Sequence, residues 1–529
     1  MRKIFLFIII LLMFSVNLPN SYAFFDMDRA TFAMLMNAKS PKVKGVYSPF
    51  WWDKATLQDV QSEFKSKESI NSPDKNGDTA LIVAIRTKKN IEILQYLVSN
   101  GADVNYKTPE GKSVLEFALN DKPTLEFLLK SGARVNPRII AKNFYICENN
   151  EVLRLLIANG ANINARGEFG ETPLKRIIGF AKFDTIKNLL DLGADINIPN
   201  EFGDTVLMDA VTNEDPKITA LLLKRGAALI INSGNERYGD TALMKAAGKG
   251  NIEIVKMLVG NGAKVNLKNN MDETPLMRAV EHPEIVQYLI SKGANVNAVS
   301  YNGDTAYTLA VQKAELYKNI PGYQKSVEVL KKHKNNINAR NKDGKTPLIA
   351  AFTKPDKLKM LIKQGADVNL PDLNGRTPLM TAVYPVQHES IKILLGAGAD
   401  PNLHSKDGRT ALMTHIDNPE TTELLIKYNA DVNAQDKFGR TPLWYVTVFN
   451  KFDVFKVLIK HKANPNIIDK RGSTVLMVAA VNGRTEMVKI LLENGAAKTI
   501  NVKDNKGKTA INYAKTKEIV DLLKKYGAK

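Results

Sequence analysis

The sequence predicts an all-α repeat solenoid, made of stacked helix–turn–helix units joined by short β-turn or hairpin fingers. Two observations carry the prediction. The stretch Gly239–Asn266, reading GDTALMKAAGKGNIEIVKMLVGNGAKVN, holds two short amphipathic runs with punctuation at both ends. Versions of it recur in phase, opened by Thr79, Ser113, Thr172, Thr205, Thr241, Thr274, Thr305, Thr346, Thr377, Thr410, Thr441, Thr474 and Thr509, most of them about 33 residues apart. The wider gap from Ser113 to Thr172 hides a unit without an opening motif, closed by Gly160-Ala161-Asn162-Ile163-Asn164. One unit cannot bury its own apolar surface and stacked copies can, so the 529 residues read as one long array.

Each part of the unit has a local cause. Thr241 can cap the first run, because its hydroxyl accepts an orphan N–H at a helix start. In sister copies Pro follows the threonine, as in Thr274-Pro275 and Thr441-Pro442, where no N–H is needed and φ is already helical. Leu243, Met244, Ala246 and Ala247 form a small-residue apolar face. Gly250 breaks the run, Asn251 can cap the next, and Gly262 ends it in the left-handed conformation that glycine tolerates. Asp215-Pro216 and Asn418-Pro419 make the inter-helix turn with different chemistry.

These residues resemble the ankyrin repeat, with G-x-T-P-L opening and G-A-D-V-N closing a pair of helices. The resemblance covers roughly residues 50–529. It implies a noncatalytic scaffold that binds a protein partner, of unknown identity, through its concave face and fingertips. One departure is systematic: the family's histidine after T-P-L is replaced by Met208, Met244, Met277, Met380, Met413 and Met477. Thioether packing in place of a hydrogen-bond ladder implies a softer inner core.

In chain order, residues 1–23 read as an export signal peptide. Arg2 and Lys3 precede an apolar core from Ile4 to Phe14, and Ser21-Tyr22-Ala23 fits a small-x-small cleavage site. The alternative is an uncleaved N-terminal anchor. Without N-x-S/T acceptors and with abundant Lys, Ile and Asn, the chain reads as an exported bacterial protein, periplasmic or secreted, with no membrane span after cleavage. Residues 24–72 read as an N-terminal cap with a degenerate leading repeat: Ala30 to Met36 has helical spacing, and Pro49-Phe50-Trp51-Trp52 supplies area to cover a solenoid end. Residues 73–506 are the array and 507–529 a capping repeat. The Thr305 unit is irregular, with Asn319-Ile320-Pro321-Gly322 between two lengthened helices and a close, Asn335-Asn336-Ile337-Asn338, lacking Gly and Ala. A flexible joint and a tolerated insertion are both open there.

Chemistry is scarce. The lone Cys147, in an apolar run, reads as a buried inert thiol and excludes a disulfide framework. The histidines His282, His333, His388, His404, His415 and His461 show no zinc-ligand spacing. No nucleophile elbow or phosphate loop is present, so no enzyme activity, cofactor or metal is expected.

The formal net charge is +19, and loss of Arg2 and Lys3 with the leader leaves +17. That raises the alternative of a polyanion or envelope-surface binder. The lysines are dispersed on second helices without interleaved aromatics, so nucleic acid is not an expected partner, and a monomer is expected. The candidate partner-binding positions are the residues after each finger's glycine. They are acidic at Asp78, Glu171, Asp204, Asp240, Glu273 and Asp304, with Lys112 the exception. Beyond the Thr305 unit they are basic at Lys345, Arg376, Arg409, Arg440 and Lys508, with Ser473 neutral. The expected use of this split is a field that steers and orients a partner.

Overall fold

The computed structural model describes residues 49–333, 336–381 and 388–529. The leader, the Ala30–Met36 helix, most of the cap segment 24–49, and Asn335 of the irregular close lie outside the described residues. The chain divides into two compact units, one reaching Ile139 and including Glu151–Ala161, the other comprising Ile140–Asn150 and Asn162–Lys529.

In the first unit, Pro49–Lys54 and Leu57–Glu63 precede the helix pairs Ala80–Arg86 with Ile91–Ser99 and Val114–Phe117 with Lys122–Lys130. Thr56 caps Leu57–Glu63 in a full capping box with Asp59. Trp52 is fully buried. It stacks on Phe64 at 5.8 Å and meets Trp51 edge-on at 5.2 Å.

In the second unit the helix pairs repeat: Val206–Thr212 with Pro216–Lys224, Ala242–Lys249 with Ile252–Gly260, Pro442–Val448 with Phe452–Lys460, and others of the same form. The local signals act as the residue types dictate. Thr241 accepts from Met244 N–H, and Gly250 closes that helix at φ +90°. Asn251 accepts from Ile254 N–H, and Gly262 takes φ +93° just beyond the second helix. Asp215 and Asn418 cap their Pro-led helices.

The six methionines at the third helical position are buried. Two of their sulfurs still take part in capping: Thr205 N–H and Thr274 N–H lie 3.5 Å from Met208 Sδ and Met277 Sδ. A hydrogen-bond ladder between repeats does exist, and it is carried by the closing asparagines instead. Asn266 donates to Gly293 C=O at 2.9 Å and accepts from Asn295 N–H at 2.7 Å. Asn402 does the same with Asn429 and Asp431, and, in the first unit, Asn71 with Gly101 and Asp103. The amide side chain matches one acceptor and one donor of the next backbone, which Asp could not do.

The Thr305 unit has two 11-residue helices, Ala306–Leu316 and Pro321–Lys331. Long-range bonds hold it. Tyr323 Oη donates to Glu281 at 2.6 Å, and Tyr307 Oη to Gln364 at 2.7 Å. Lys357 Nζ meets Asp304 Oδ1 at 2.5 Å, both side chains being buried.

Candidate functional site

The fingers are turns closed by backbone bonds: Asn200 N–H to Asp204 C=O and Gly203 N–H to Asn200 C=O, both at 3.1 Å, and Asp372 N–H to Arg376 C=O at 2.8 Å with Gly375 N–H to Asp372 C=O at 3.0 Å. The side chain that begins the turn braces it from within: Asn200 Oδ1 accepts from the N–H groups of Phe202 and Asp204, and Asp372 Oδ1 from those of Asn374 and Arg376. Gly239 shows why glycine is needed. Its φ is +71°, and a Cβ would fall 2.8 Å from Asn270 N of the next finger.

Consecutive tips are also tied to one another. Phe169, Phe202, Tyr238 and Met271 carbonyls accept from Glu201, Glu236, Asn270 and Tyr301 N–H groups at 2.8–3.0 Å. The same bond recurs from Asn374, Asp407, Phe438 and Arg471 to the fingers that follow them.

The acidic positions are held rather than displayed. Asp78 and Asp304 are buried, paired with Arg86 at 3.2 Å and with Lys357. Burial lifts the Asp78 pKa, partly offset by Arg86. Glu171 meets Arg176 at 3.0 Å, Asp204 meets Lys245 at 3.5 Å, and Arg278 reaches both Asp240 at 2.7 Å and Glu273 at 3.2 Å. Arg176, Lys245 and Arg278 all stand at the fourth position of a first helix. The amides of Asn235 and Asn269 add bonds to Asp204 and Asp240 at 3.1 and 2.8 Å.

The basic half balances its charge differently. The brace residue becomes Asp at Asp372, Asp436 and Asp504, and the fourth helical position becomes Tyr at Tyr445 and Tyr513. Arg376 bonds Asp372 at 2.9 Å through both Nε and Nη2. Arg409 pairs with Asp407 at 3.1 Å and lies 5.0 Å over the Tyr445 ring. Arg440 sits between the Phe438 and Trp444 rings, 4.7 and 4.4 Å from their centres. Lys508 lies 5.4 Å over Tyr513. Lys112 pairs with Glu110 at 3.0 Å, and Lys345 is half-buried. Tyr445 and Tyr513 donate to Asp436 and Asp504 at 2.6 Å each. Burial first, then the Asp436 bond, raises the Tyr445 pKa. At several tips charge and brace go together: Asp204, Asp240 and Glu273 have the Asn braces Asn200, Asn235 and Asn269, and Arg376, Arg440 and Lys508 have the Asp braces Asp372, Asp436 and Asp504, whereas Asp78 is braced by Asp74 and Lys345 by Asn341.

The basic fingers rim an open cleft of about 560 Å³ between fingers and first helices, floored by Met380 and Met413 and walled by Arg376, Arg409, Tyr445 and Phe449. Phe449 is 57% exposed. Sequence reasoning found the two arginines and missed both aromatics. Their signal was their place four and eight residues after Thr441, Tyr445 within the helix Pro442–Val448 and Phe449 just past its end.

His415 and His404 bond backbone carbonyls. His415 is buried, its Nε2 2.6 Å from Leu379 C=O of the preceding repeat, and burial lowers its pKa. His404 is exposed with Nδ1 2.8 Å from Gly408 C=O. Cys147 is buried with its pKa pushed up to about 12 by burial. Among the described residues no group of three His, Cys, Asp or Glu side chains could hold a metal ion, and no helix is long and apolar enough to cross a membrane.

The family model described as Ankyrin repeats (3 copies) matches residues 56–139, 143–233, 178–269, 227–300, 243–330, 319–405, 379–469 and 449–529. An ankyrin repeat protein of fowlpox virus (strain NVSL) is 32% identical over 125 residues, 21% of this chain and 37% of that protein. One of Acanthamoeba polyphaga mimivirus is 30% identical over 138 residues, 24% of this chain and 22% of that protein. The matches thus span 37% and 22% of these relatives' lengths. The ankyrin repeat domain of Bcl-3, a member of the IkappaB protein family, is 27% identical and aligns with a TM-score of 0.36, covering 42% of this chain and 99% of that one.

Proposed function

The chain belongs to the ankyrin repeat family, and from that premise we propose that it is a noncatalytic scaffold that holds a protein partner in the cleft between its basic fingers and first helices. Ankyrin arrays present extended binding surfaces and rarely do chemistry. The observation that carries the reading is the cleft in which Met380, Met413, Tyr445 and Phe449 line the same space as the Arg376 and Arg409 guanidinium groups. Such a site suits a partner segment that offers an apolar side chain beside a carboxylate. We further propose that residues 1–23 export the chain and are removed, that 24–72 and 507–529 cap the array at 73–506, and that it acts as a monomer in a bacterial periplasm or outside the cell. The polyanion alternative is weaker because the lysines that would carry it, such as Lys331, Lys456 and Lys460, are spread along second helices of different repeats.

The test is affinity capture from the producing cells with the native chain and with R376E/R409E and F449S variants. The scaffold reading expects a partner that the native chain retains and both variants lose by tenfold or more. A partner retained equally by all three places binding elsewhere. Retention on heparin above physiological salt would favour the polyanion alternative instead.

A further inference from the structure

The tips of the acidic half carry a second surface, distinct from the cleft. Phe169, Phe202, Tyr238, Met271 and Tyr301 stand on five successive fingers, each 39–55% exposed. The tip-to-tip backbone bonds fix them in one row. The Phe169 and Phe202 ring centres are 6.3 Å apart. Exposed acids stand beside the row at Glu168, Glu201 and Glu236. No ion pair holds any of these three among the described residues, whereas the neighbouring Glu171, Asp204 and Asp240 are all held by helix cations.

The basic half shows what such a ring accepts. Phe438 occupies the same place in its finger as Phe169 and Phe202, one residue before the glycine, and Arg440 just after that glycine lies over its ring at 4.7 Å. In the fingers of Phe169 and Phe202 the corresponding residues are Glu171 and Asp204. These are turned to helix cations, and no cation lies over either ring among the described residues. At Tyr238 the neighbouring Arg237 lies 5.0 Å over the ring, so the row already accommodates a guanidinium once.

We propose that this row docks an extended polypeptide segment of a partner with Lys or Arg at alternate positions, their cations seated over Phe169 and Phe202 and against Glu168 and Glu201. An extended strand rises 3.2–3.4 Å per residue and turns alternate side chains to one face, so residues i and i+2 lie roughly 6.6 Å apart, close to the 6.3 Å ring spacing. The row is one side chain wide, which suits a strand better than a helix roughly 10 Å across. Ring and carboxylate act together, the ring face attracting the cation and the acid completing its charge. The inference goes beyond the scaffold reading and does not depend on the cleft.

The probe is a fluorescein-labelled peptide of five Lys-Thr pairs, with a block peptide of five Lys then five Thr as control, titrated by anisotropy against the full chain. The alternating peptide should bind at least fivefold more tightly than the block peptide of equal charge. F169S/F202S should weaken it roughly tenfold, about what two exposed cation–π contacts amount to. E168Q/E201Q should also weaken it and flatten its salt dependence, and R376E/R409E should leave it unchanged. That last variant separates failure here from failure of the cleft reading. Equal binding of the two peptides, or unchanged binding by F169S/F202S with native circular dichroism, overturns the proposal. So does a chain that self-associates through the row and is made monomeric by F169S/F202S, which would assign the rings to a second copy.

Discussion

Lys357→Met tests how the irregular Thr305 unit is held. Lys357 Nζ lies 2.5 Å from Asp304 Oδ1, with the side chains 4% and 9% exposed. Thr308 Oγ1 donates to the same oxygen at 3.2 Å. Methionine keeps the apolar stem and removes the charge, leaving a buried carboxylate with only a hydroxyl for company. Breaking a buried pair from one side costs about 3–5 kcal/mol, because the stranded charge has lost its compensation. Thr308 remains as a donor, so the lower figure, about 3 kcal/mol, is expected. The double variant D304N/K357M removes both charges and should cost about 1 kcal/mol, about 2 kcal/mol less than the single variant. Repeats open partly independently, so the readout is the opening free energy of amides in Ala306–Leu316 by native-state hydrogen exchange, beside urea unfolding of the full chain. If the single variant costs under about 1 kcal/mol, or the double is as damaged as the single, Lys357 is not compensating a buried charge.

Three further outcomes follow from the same structure. Asn266→Ala removes two bonds to the next repeat and should lower local stability by about 1–2 kcal/mol; an unchanged urea midpoint and exchange pattern would deny the asparagine ladder its role. Burial lowers the His415 pKa from its ordinary 6.5, so below that pH the unfolded chain takes up a proton that the native chain refuses, and stability falls as the pH drops. His415→Gln should make the urea midpoint less sensitive between about pH 7.5 and 5.5, and an identical pH dependence in both proteins would show that His415 protonates freely in the fold. Limited trypsin digestion should cut first at Lys318, exposed between Leu316 and Pro321; protection equal to that of the Gly239 unit would mean that the linker is no weak joint.

The sequence alone determined the units and their ends. Thr241, Asn251 and Gly262 act on the backbone within a few residues of themselves, so their caps and turns are legible without a fold. The two long helices around Asn319-Ile320-Pro321-Gly322 were legible for the same reason. The partners of the fingertips were not. Asp204 meets Lys245 and Asp240 meets Arg278 only because successive repeats stack in one register, and residues so far apart in sequence give no local sign of the pairing. The charge split at the tips was visible, but the partners that hold each charge were not: Arg440 lies against Trp444 and Lys508 against Tyr513, contacts that only the folded finger and helix create. Phe169, Phe202 and Tyr238 of the row were readable one position before a tip glycine, yet exposure decides their meaning, and exposure is a property of the stack. The tertiary structure alone also placed Phe449 beside Arg376 and Arg409, because a concave surface exists only once neighbouring repeats supply its walls.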